Sequence, residues 1–77
     1  MIDFEKKAKR LISEKTGVDV EEITDDSFFE DDLNVGELEL IEILEELEEL
    51  FDIELTDKKN DIETFGDLTE LIADRIE

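Results

Sequence analysis

Residues 32–51 of the chain read DLNVGELELIEILEELEELF, a turn followed by a long amphipathic segment. From residue 38 onward, apolar side chains recur every three or four positions, which is the period of an α-helix. Asn34 resembles an N-cap and Glu37 its capping-box partner, so we predict a helix that begins after Asn34 and ends near Phe51. The stripe expected to be buried consists of Leu40, Ile43, Leu44, Leu47, Leu50 and Phe51.

Two further helices are predicted, one on each side of this segment. The first runs from about Asp3 to Thr16, and Gly17 fits the position just past its end. The last begins at Thr64, whose hydroxyl is expected to accept a hydrogen bond from the amide of Asp67. A short helical turn is predicted within residues 57–62. The apolar face of the last helix comprises Phe65, Leu68, Leu71, Ile72 and Ile76.

A long connection, residues 18–35, separates the first helix from the second. Its spaced apolar residues are expected to anchor it, and Phe28 and Phe29 are both expected to enter the core. Three main helices, one short helix and a long first loop predict an all-α fold, a small four-helix bundle. The 77 residues show no linker and no repeat, so residues 1–77 are predicted to form a single domain.

The composition excludes most catalytic chemistry. The chain contains no histidine and no cysteine, which removes the commonest general base, zinc ligands and thiolate nucleophiles. No phosphate-cradling glycine loop is evident either, so we expect a protein that is not an enzyme. The longest apolar run is residues 71–73, too short for a membrane span or a signal-peptide core, and a cytoplasmic location is expected.

The charge restricts the partners. With 27 acidic and 8 basic residues the formal net charge is -19, which disfavours nucleic acids and anionic membranes and favours basic protein patches. We expect a monomer. The carboxylates of the first loop could attract Ca²⁺ or Mg²⁺ weakly, although EF-hand spacing is absent. They are Asp25, Asp26, Glu30, Asp31 and Asp32.

Segments along nearly the whole chain resemble the acyl carrier protein family in order and spacing. Residues 17–23 and 26–28 resemble the end of the family's first helix and its loop. Residues 38–43 and 47–55 resemble its second helix and the following turn, and residues 62–68 resemble the entry to its last helix.

The attachment segment of that family has the pattern Asp-Leu-Gly-x-Asp-Ser-Leu-Asp, whose serine carries 4'-phosphopantetheine. Residues 32–39 resemble this pattern if Gly36 stands for the aspartate, Glu37 for the serine, and Leu38 for the leucine. A carboxylate cannot form the phosphodiester, and no serine occurs after Ser27. The resemblance therefore implies the family fold without the prosthetic group. Glu37 is interpreted as a helix-capping carboxylate or as an imitation of the phosphate's negative charge.

The resemblance also implies that the second helix is the surface that partner enzymes recognise, through basic patches and a shallow apolar contact. The candidate partner-binding residues are Leu38, Ile41, Glu42, Glu45, Glu48 and Glu49. The leading hypothesis is a non-enzymatic domain that binds carrier-recognising proteins. The alternatives are an altered acyl carrier protein of fatty acid or polyketide synthesis, and an acidic helical protein that binds divalent cations.

Overall fold

A computed structural model describes residues 3–76, and these residues form three α-helices and two short 3₁₀ segments. The helices are α1 (Phe4–Thr16), α2 (Glu37–Phe51) and α3 (Phe65–Arg75). One 3₁₀ segment, Val20–Glu22, lies in the first loop, and the other, Thr56–Asp61, joins α2 to α3 and is called the 3₁₀ linker below. The described part of the chain contains no β-strand, and the predicted small all-α bundle is confirmed.

The ends of α1 and α3 follow local sequence signals. The carboxylate of Asp3 accepts a hydrogen bond from the amide of Lys6 at 3.1 Å, and Gly17 ends α1 with φ of 82°. Such a left-handed conformation suits glycine, which has no Cβ to clash. At α3, the Thr64 hydroxyl accepts from the Asp67 amide at 3.1 Å and the Asp67 carboxylate accepts from the Thr64 amide at 3.1 Å. The predicted end of α1 at Gly17 and the predicted Thr64 cap of α3 are confirmed; the Asp3 cap was not predicted.

The start of α2 differs from the prediction. Gly36, not Asn34, is the N-cap residue, and Glu39, not Glu37, supplies the reciprocal contact by accepting a hydrogen bond from the Gly36 amide at 3.2 Å. Asn34 instead adopts a left-handed conformation with φ of 56°. The amides of Leu33 and Val35 donate to the carbonyls of Phe28 and Phe29 at 3.0 and 2.7 Å, so the chain turns back here, and asparagine tolerates the conformation that this requires.

The core is shared by the three helices, the first loop and the two residues that flank the 3₁₀ linker, Leu55 and Ile62. Its buried apolar residues are Ala8, Ile12, Ile23, Phe29, Leu33, Val35, Leu40, Ile43, Leu44, Leu47, Leu55, Ile62, Phe65, Leu68 and Ile72. Leu71, Ile76 and Phe51 pack against this core while remaining partly exposed. Among the described residues, no helix is long and apolar enough to cross a bilayer.

Two side chains predicted to enter the core are exposed, and so is Val20, one of the apolar residues predicted to anchor the first loop, which is 43% exposed. Leu50 is 51% exposed because it lies in the last turn of α2, beyond the part of the helix that the core covers; Ile43, only about 20° away around the helix, is fully buried. Phe28 is 43% exposed, whereas Phe29 is buried. Phe28 forms an isolated bridge with Thr64, and successive side chains of an extended segment point to opposite sides. Only one of the two phenylalanines can therefore enter the core.

The first loop is fixed to the start of α3 by backbone hydrogen bonds. The Phe65 amide donates to the Ser27 carbonyl at 2.9 Å, and the Gly66 amide donates to the Asp25 carbonyl at 3.0 Å. A Cβ at position 66 would lie 2.9 Å from that same carbonyl oxygen, so the close approach requires glycine. This contact fixes the loop that leads into α2.

Candidate functional site

Glu37, predicted to replace the attachment residue, is the first residue of α2 and is exposed. Its carboxylate forms an ion pair with Lys59 of the 3₁₀ linker, with 2.6 Å between the Glu37 Oε2 and Lys59 Nζ atoms. The hydrogen bond from Lys59 and the positive charge of that group hold the pKa of Glu37 below its ordinary value. Glu37 thus carries its negative charge in the first turn of α2, where the helix dipole favours it.

A shallow cavity of about 440 Å³ lies beside this ion pair, between the first loop, the start of α2 and the 3₁₀ linker. Phe28, Val35 and Leu40 contribute apolar lining, and Glu37 and Lys59 contribute charged lining. The exposed side chain of Phe28 thus forms part of the lining of this cavity.

Gly36 and Leu38 flank Glu37: the first leaves open space beside the backbone, and the second has an exposed apolar side chain. Gly36 has φ of -79° and ψ of 178°, ordinary extended geometry. A Cβ there would meet only the Glu39 carboxylate, at 3.9 Å, so a side chain can be accommodated. Leu38 is 77% exposed, the most exposed of the large apolar side chains described. An aliphatic side chain this exposed next to carboxylates offers an apolar contact point to another protein.

The exposed side of α2 is acidic and continuous. Leu38, Glu42, Glu45 and Glu49 lie within a sector of about 60° at 100° per residue, opposite the buried stripe. Ile41 borders the sector and is half-buried, and the four others are exposed. We call these five residues the α2 face. The α2 segment itself contains seven glutamates and no basic residue.

Glu48 has a different role from the glutamates of the α2 face. Its Oε2 atom accepts hydrogen bonds from the amides of Leu55 and Thr56, at 2.7 and 2.9 Å, and from the Thr56 hydroxyl at 3.1 Å. These bonds lower the pKa of Glu48 below its ordinary value, because they stabilise the ionised form. Glu48 thus attaches the end of α2 to the start of the 3₁₀ linker, and one of its carboxylate oxygens is occupied within the molecule.

Replacing Glu48 with glutamine is expected to lower the free energy of unfolding by about 1–2 kcal/mol at neutral pH, since hydrogen bonds to a charged acceptor are lost or weakened. Because the folded-state pKa is depressed, the contribution of Glu48 is present above the unfolded value of 4.5 and is lost as pH falls through the folded value. Denaturant unfolding at neutral and acidic pH measures this.

Glu49→Gln is the matched control for this prediction, since it removes the same charge from an exposed neighbour on the same helix. It corrects for the general relief of repulsion in a chain of net charge -19. Equal stability changes in the two variants at neutral pH would show that the Glu48 hydrogen bonds contribute nothing specific.

The two serines of the chain lie away from the start of α2. Ser27 is buried, and its hydroxyl accepts a hydrogen bond from the Thr24 amide at 3.0 Å. The hydroxyl also lies 3.4 Å from the Glu22 carbonyl. Ser13 belongs to α1 and is half-buried. Neither serine therefore lies where the attachment segment would place the prosthetic group.

The carboxylates of the first loop do not converge. Within residues 3–76, no group of three or more acidic side chains is arranged to hold a metal ion. Asp32 is used locally, since its Oδ2 atom accepts a hydrogen bond from the Phe28 amide at 2.8 Å and so closes the turn.

Two contacts of the 3₁₀ linker were missed by the sequence prediction. Lys59 pairs with Glu37, which is 22 positions earlier in the chain. Arg75 donates from Nη1 to the Glu54 carbonyl at 2.8 Å and to the Asp57 carboxylate at 2.7 Å, which ties the end of α3 to the linker. Neither pair has a local spacing signal, because the partners meet only after the chain has folded.

Comparison with protein families gives one match over most of the chain. The family model described as the phosphopantetheine attachment site matches residues 6–72. This range includes α2, the first loop and the 3₁₀ linker, and it ends within α3. The match agrees with the helical architecture and with the resemblance of residues 32–39 to an attachment segment. The chain therefore belongs to the phosphopantetheine-attachment family, which includes the acyl carrier proteins.

Proposed function

We propose that this carrier-type domain carries no phosphopantetheine and acts instead as a docking domain for proteins that recognise carrier domains. The observation that supports this most is Glu37 at the first position of α2, where alignment of the attachment segment expects serine. A carboxylate side chain provides no hydroxyl for the phosphodiester. The residues at the start of α2 therefore do not fit covalent attachment of the prosthetic group.

Other hydroxyls are poor substitutes. The Ser27 side chain is buried and hydrogen-bonded in the first loop, and the Thr64 hydroxyl caps α3. The Thr56 hydroxyl donates to Glu48. None of these groups lies at the start of α2, so modification of any of them would place the prosthetic group elsewhere on the surface.

Glu37 retains part of what a modified carrier displays. A modified serine places a phosphate, and therefore negative charge, at the start of the second helix. Glu37 places one negative charge there and holds it ionised through Lys59. The carboxylate has fewer acceptor oxygens than a phosphate and a smaller charge. A partner that recognises the negative charge at the start of α2, and not the pantetheine arm, would still bind.

The α2 face supplies the docking surface. Leu38 provides apolar contact with Ile41 beside it, and Glu42, Glu45 and Glu49 provide charge that fits a basic patch on the partner. Rim charges of this kind mainly steer encounter, whereas apolar contacts near the centre set the lifetime of the complex. The non-enzymatic role accords with the absence of histidine and cysteine from the chain.

Variants of the α2 face should separate these two contributions when binding to a carrier-recognising enzyme is followed by surface plasmon resonance. A phosphopantetheinyl transferase is a suitable probe, because it binds carrier domains before modifying them. Glu42→Lys is expected to slow association and to weaken the dependence of the rate on salt. Leu38→Ala is expected to speed dissociation by about tenfold, corresponding to ~1.4 kcal/mol.

Glu70→Lys is the matched control, since Glu70 is exposed on α3, outside the α2 face, and the net charge changes equally. Equal effects of Glu42→Lys and Glu70→Lys would mean that only net charge matters. That result would contradict docking through the α2 face.

A further inference from the structure

The basic residues of this acidic chain are concentrated in one element. Five of the eight lie in α1, together with only two of the 27 acidic residues. Outside α1, the sequence contains 25 acidic residues and only three basic ones. A local positive surface on a molecule of net charge -19 is unexpected for a feature that serves only solubility.

Part of this charge is not neutralised within the described residues. Lys15 pairs with Glu46 of α2, and Lys9 lies 3.8 Å from Glu5. Lys6 and Arg10 are exposed and form no ion pair with residues 3–76. One turn of helix separates them, so their side chains emerge from the same side of α1.

An apolar floor lies between these cations. Val20, at the start of the first 3₁₀ segment, is 43% exposed and lines a depression of about 320 Å³ together with Lys6, Lys9, Arg10 and Glu21. The long lysine and arginine stems are apolar up to their charged ends. The depression therefore has an aliphatic centre and a mainly positive rim, the converse of the α2 face.

We propose that this depression binds a short acidic segment of a partner protein. Carboxylates of that segment pair with Lys6 and Arg10, and an aliphatic side chain of it contacts Val20. The negative surface around α1 restricts the ligand to a short segment. A nucleic acid or an anionic membrane would extend beyond α1 and meet the negative surface of the rest of the molecule. At physiological salt, charges more than about 8 Å apart are largely screened, so the local patch decides the encounter.

Binding of a fluorescently labelled peptide made of Glu-Glu-Leu repeats to the full chain tests this proposal. Binding is expected near physiological ionic strength, where repulsion from the rest of the acidic surface is screened, and should weaken in about 1 M salt, where the screening length falls to about 3 Å. Arg10→Glu should weaken it by about fivefold, since reversal replaces an attraction by a repulsion. Glu21→Lys should strengthen it, because Glu21 is the one acidic residue that lines the depression.

Lys58→Glu is the matched control: it makes the same charge change at an exposed position of the 3₁₀ linker, outside the depression. At physiological ionic strength it should leave peptide binding within about twofold of the original, because Lys58 does not line the depression. Circular dichroism checks that each variant is folded. Equal losses in Arg10→Glu and Lys58→Glu, or no peptide binding at physiological ionic strength, would overturn the proposal.

Sedimentation equilibrium of the chain alone tests whether the acidic segment comes from a second copy of this chain. A constant monomer mass at all concentrations supports a separate partner. Self-association that Arg10→Glu abolishes would show that the acidic segment comes from a second copy of this chain, and would overturn the assignment to a different protein.

Discussion

Leu47→Ala is expected to lower the free energy of unfolding by about 2–5 kcal/mol, because truncating a fully buried leucine loses transfer free energy and leaves a cavity. Leu47 is completely buried in the middle of α2. Small domains have total stabilities of about 5–15 kcal/mol, so this one change could consume most of the stability of the chain. Chemical denaturation at neutral pH, in a salt concentration that screens self-repulsion, measures it.

Leu38→Ala and Leu50→Ala are the matched controls, since they make the same truncation on the same helix at positions 77% and 51% exposed. Leu38→Ala should change stability by less than about 0.5 kcal/mol, and Leu50→Ala should cost less than half of the Leu47 effect. The Leu50 variant distinguishes two predictions: the helical period alone predicts that Leu50 is buried, whereas the structure shows that it is exposed. A loss at Leu50 as large as that at Leu47 would contradict the described packing of α2.

The helices and two of their caps were predictable because their signals are local. Asp3 and Gly17 bound α1, and Thr64 with Asp67 begins α3, through contacts within four residues of each other. The buried positions of α2 followed from its period, except at Leu50, where the stripe extends beyond the part of the helix that the core covers.

The first loop was harder to predict, because its conformation depends on distant contacts. The sequence does not show which of Phe28 and Phe29 is buried; the bridge from Phe28 to Thr64 decides this. The position of the α2 cap likewise depends on the backbone hydrogen bonds from Leu33 and Val35 to Phe28 and Phe29, which turn the chain at Asn34 and leave Gly36 as the cap.

Within the site, the contacts of Glu37 were likewise only partly predictable from the sequence. Local reasoning predicted its position near the start of α2 and its favourable interaction with the helix dipole, but assigned it a capping bond that Glu39 makes instead. Its main partner, Lys59, lies in the 3₁₀ linker, whose first residues, Thr56 and Asp57, are hydrogen-bonded to Glu48 and Arg75. Only the folded chain brings these groups together.

The second large effect is expected from restoring a modifiable residue. Gly36→Asp with Glu37→Ser recreates the aspartate and serine of the attachment pattern. The structure accommodates both changes, since position 36 has ordinary φ and open space for a side chain, and aspartate is a favoured N-cap. Loss of the exposed Glu37–Lys59 pair should cost little stability. The double variant should therefore fold and accept phosphopantetheine.

Glu37→Ser alone is the informative intermediate, because Gly36 still lacks the carboxylate. Peptide mapping should place any added group on residue 37, and circular dichroism should confirm that each variant is folded. A folded double variant that stays unmodified would mean that the surface around α2 no longer fits the transferase, which would count against docking of carrier-recognising proteins there.

Intact-protein mass spectrometry of the unaltered chain, after incubation with a broad-specificity phosphopantetheinyl transferase and coenzyme A, tests the central claim most directly. The claim is that this carrier-type domain has no attachment residue at the start of α2. The predicted result is an unchanged mass for the unaltered chain and the addition of one phosphopantetheine to the folded double variant. A covalent gain of phosphopantetheine on the unaltered chain would contradict the account.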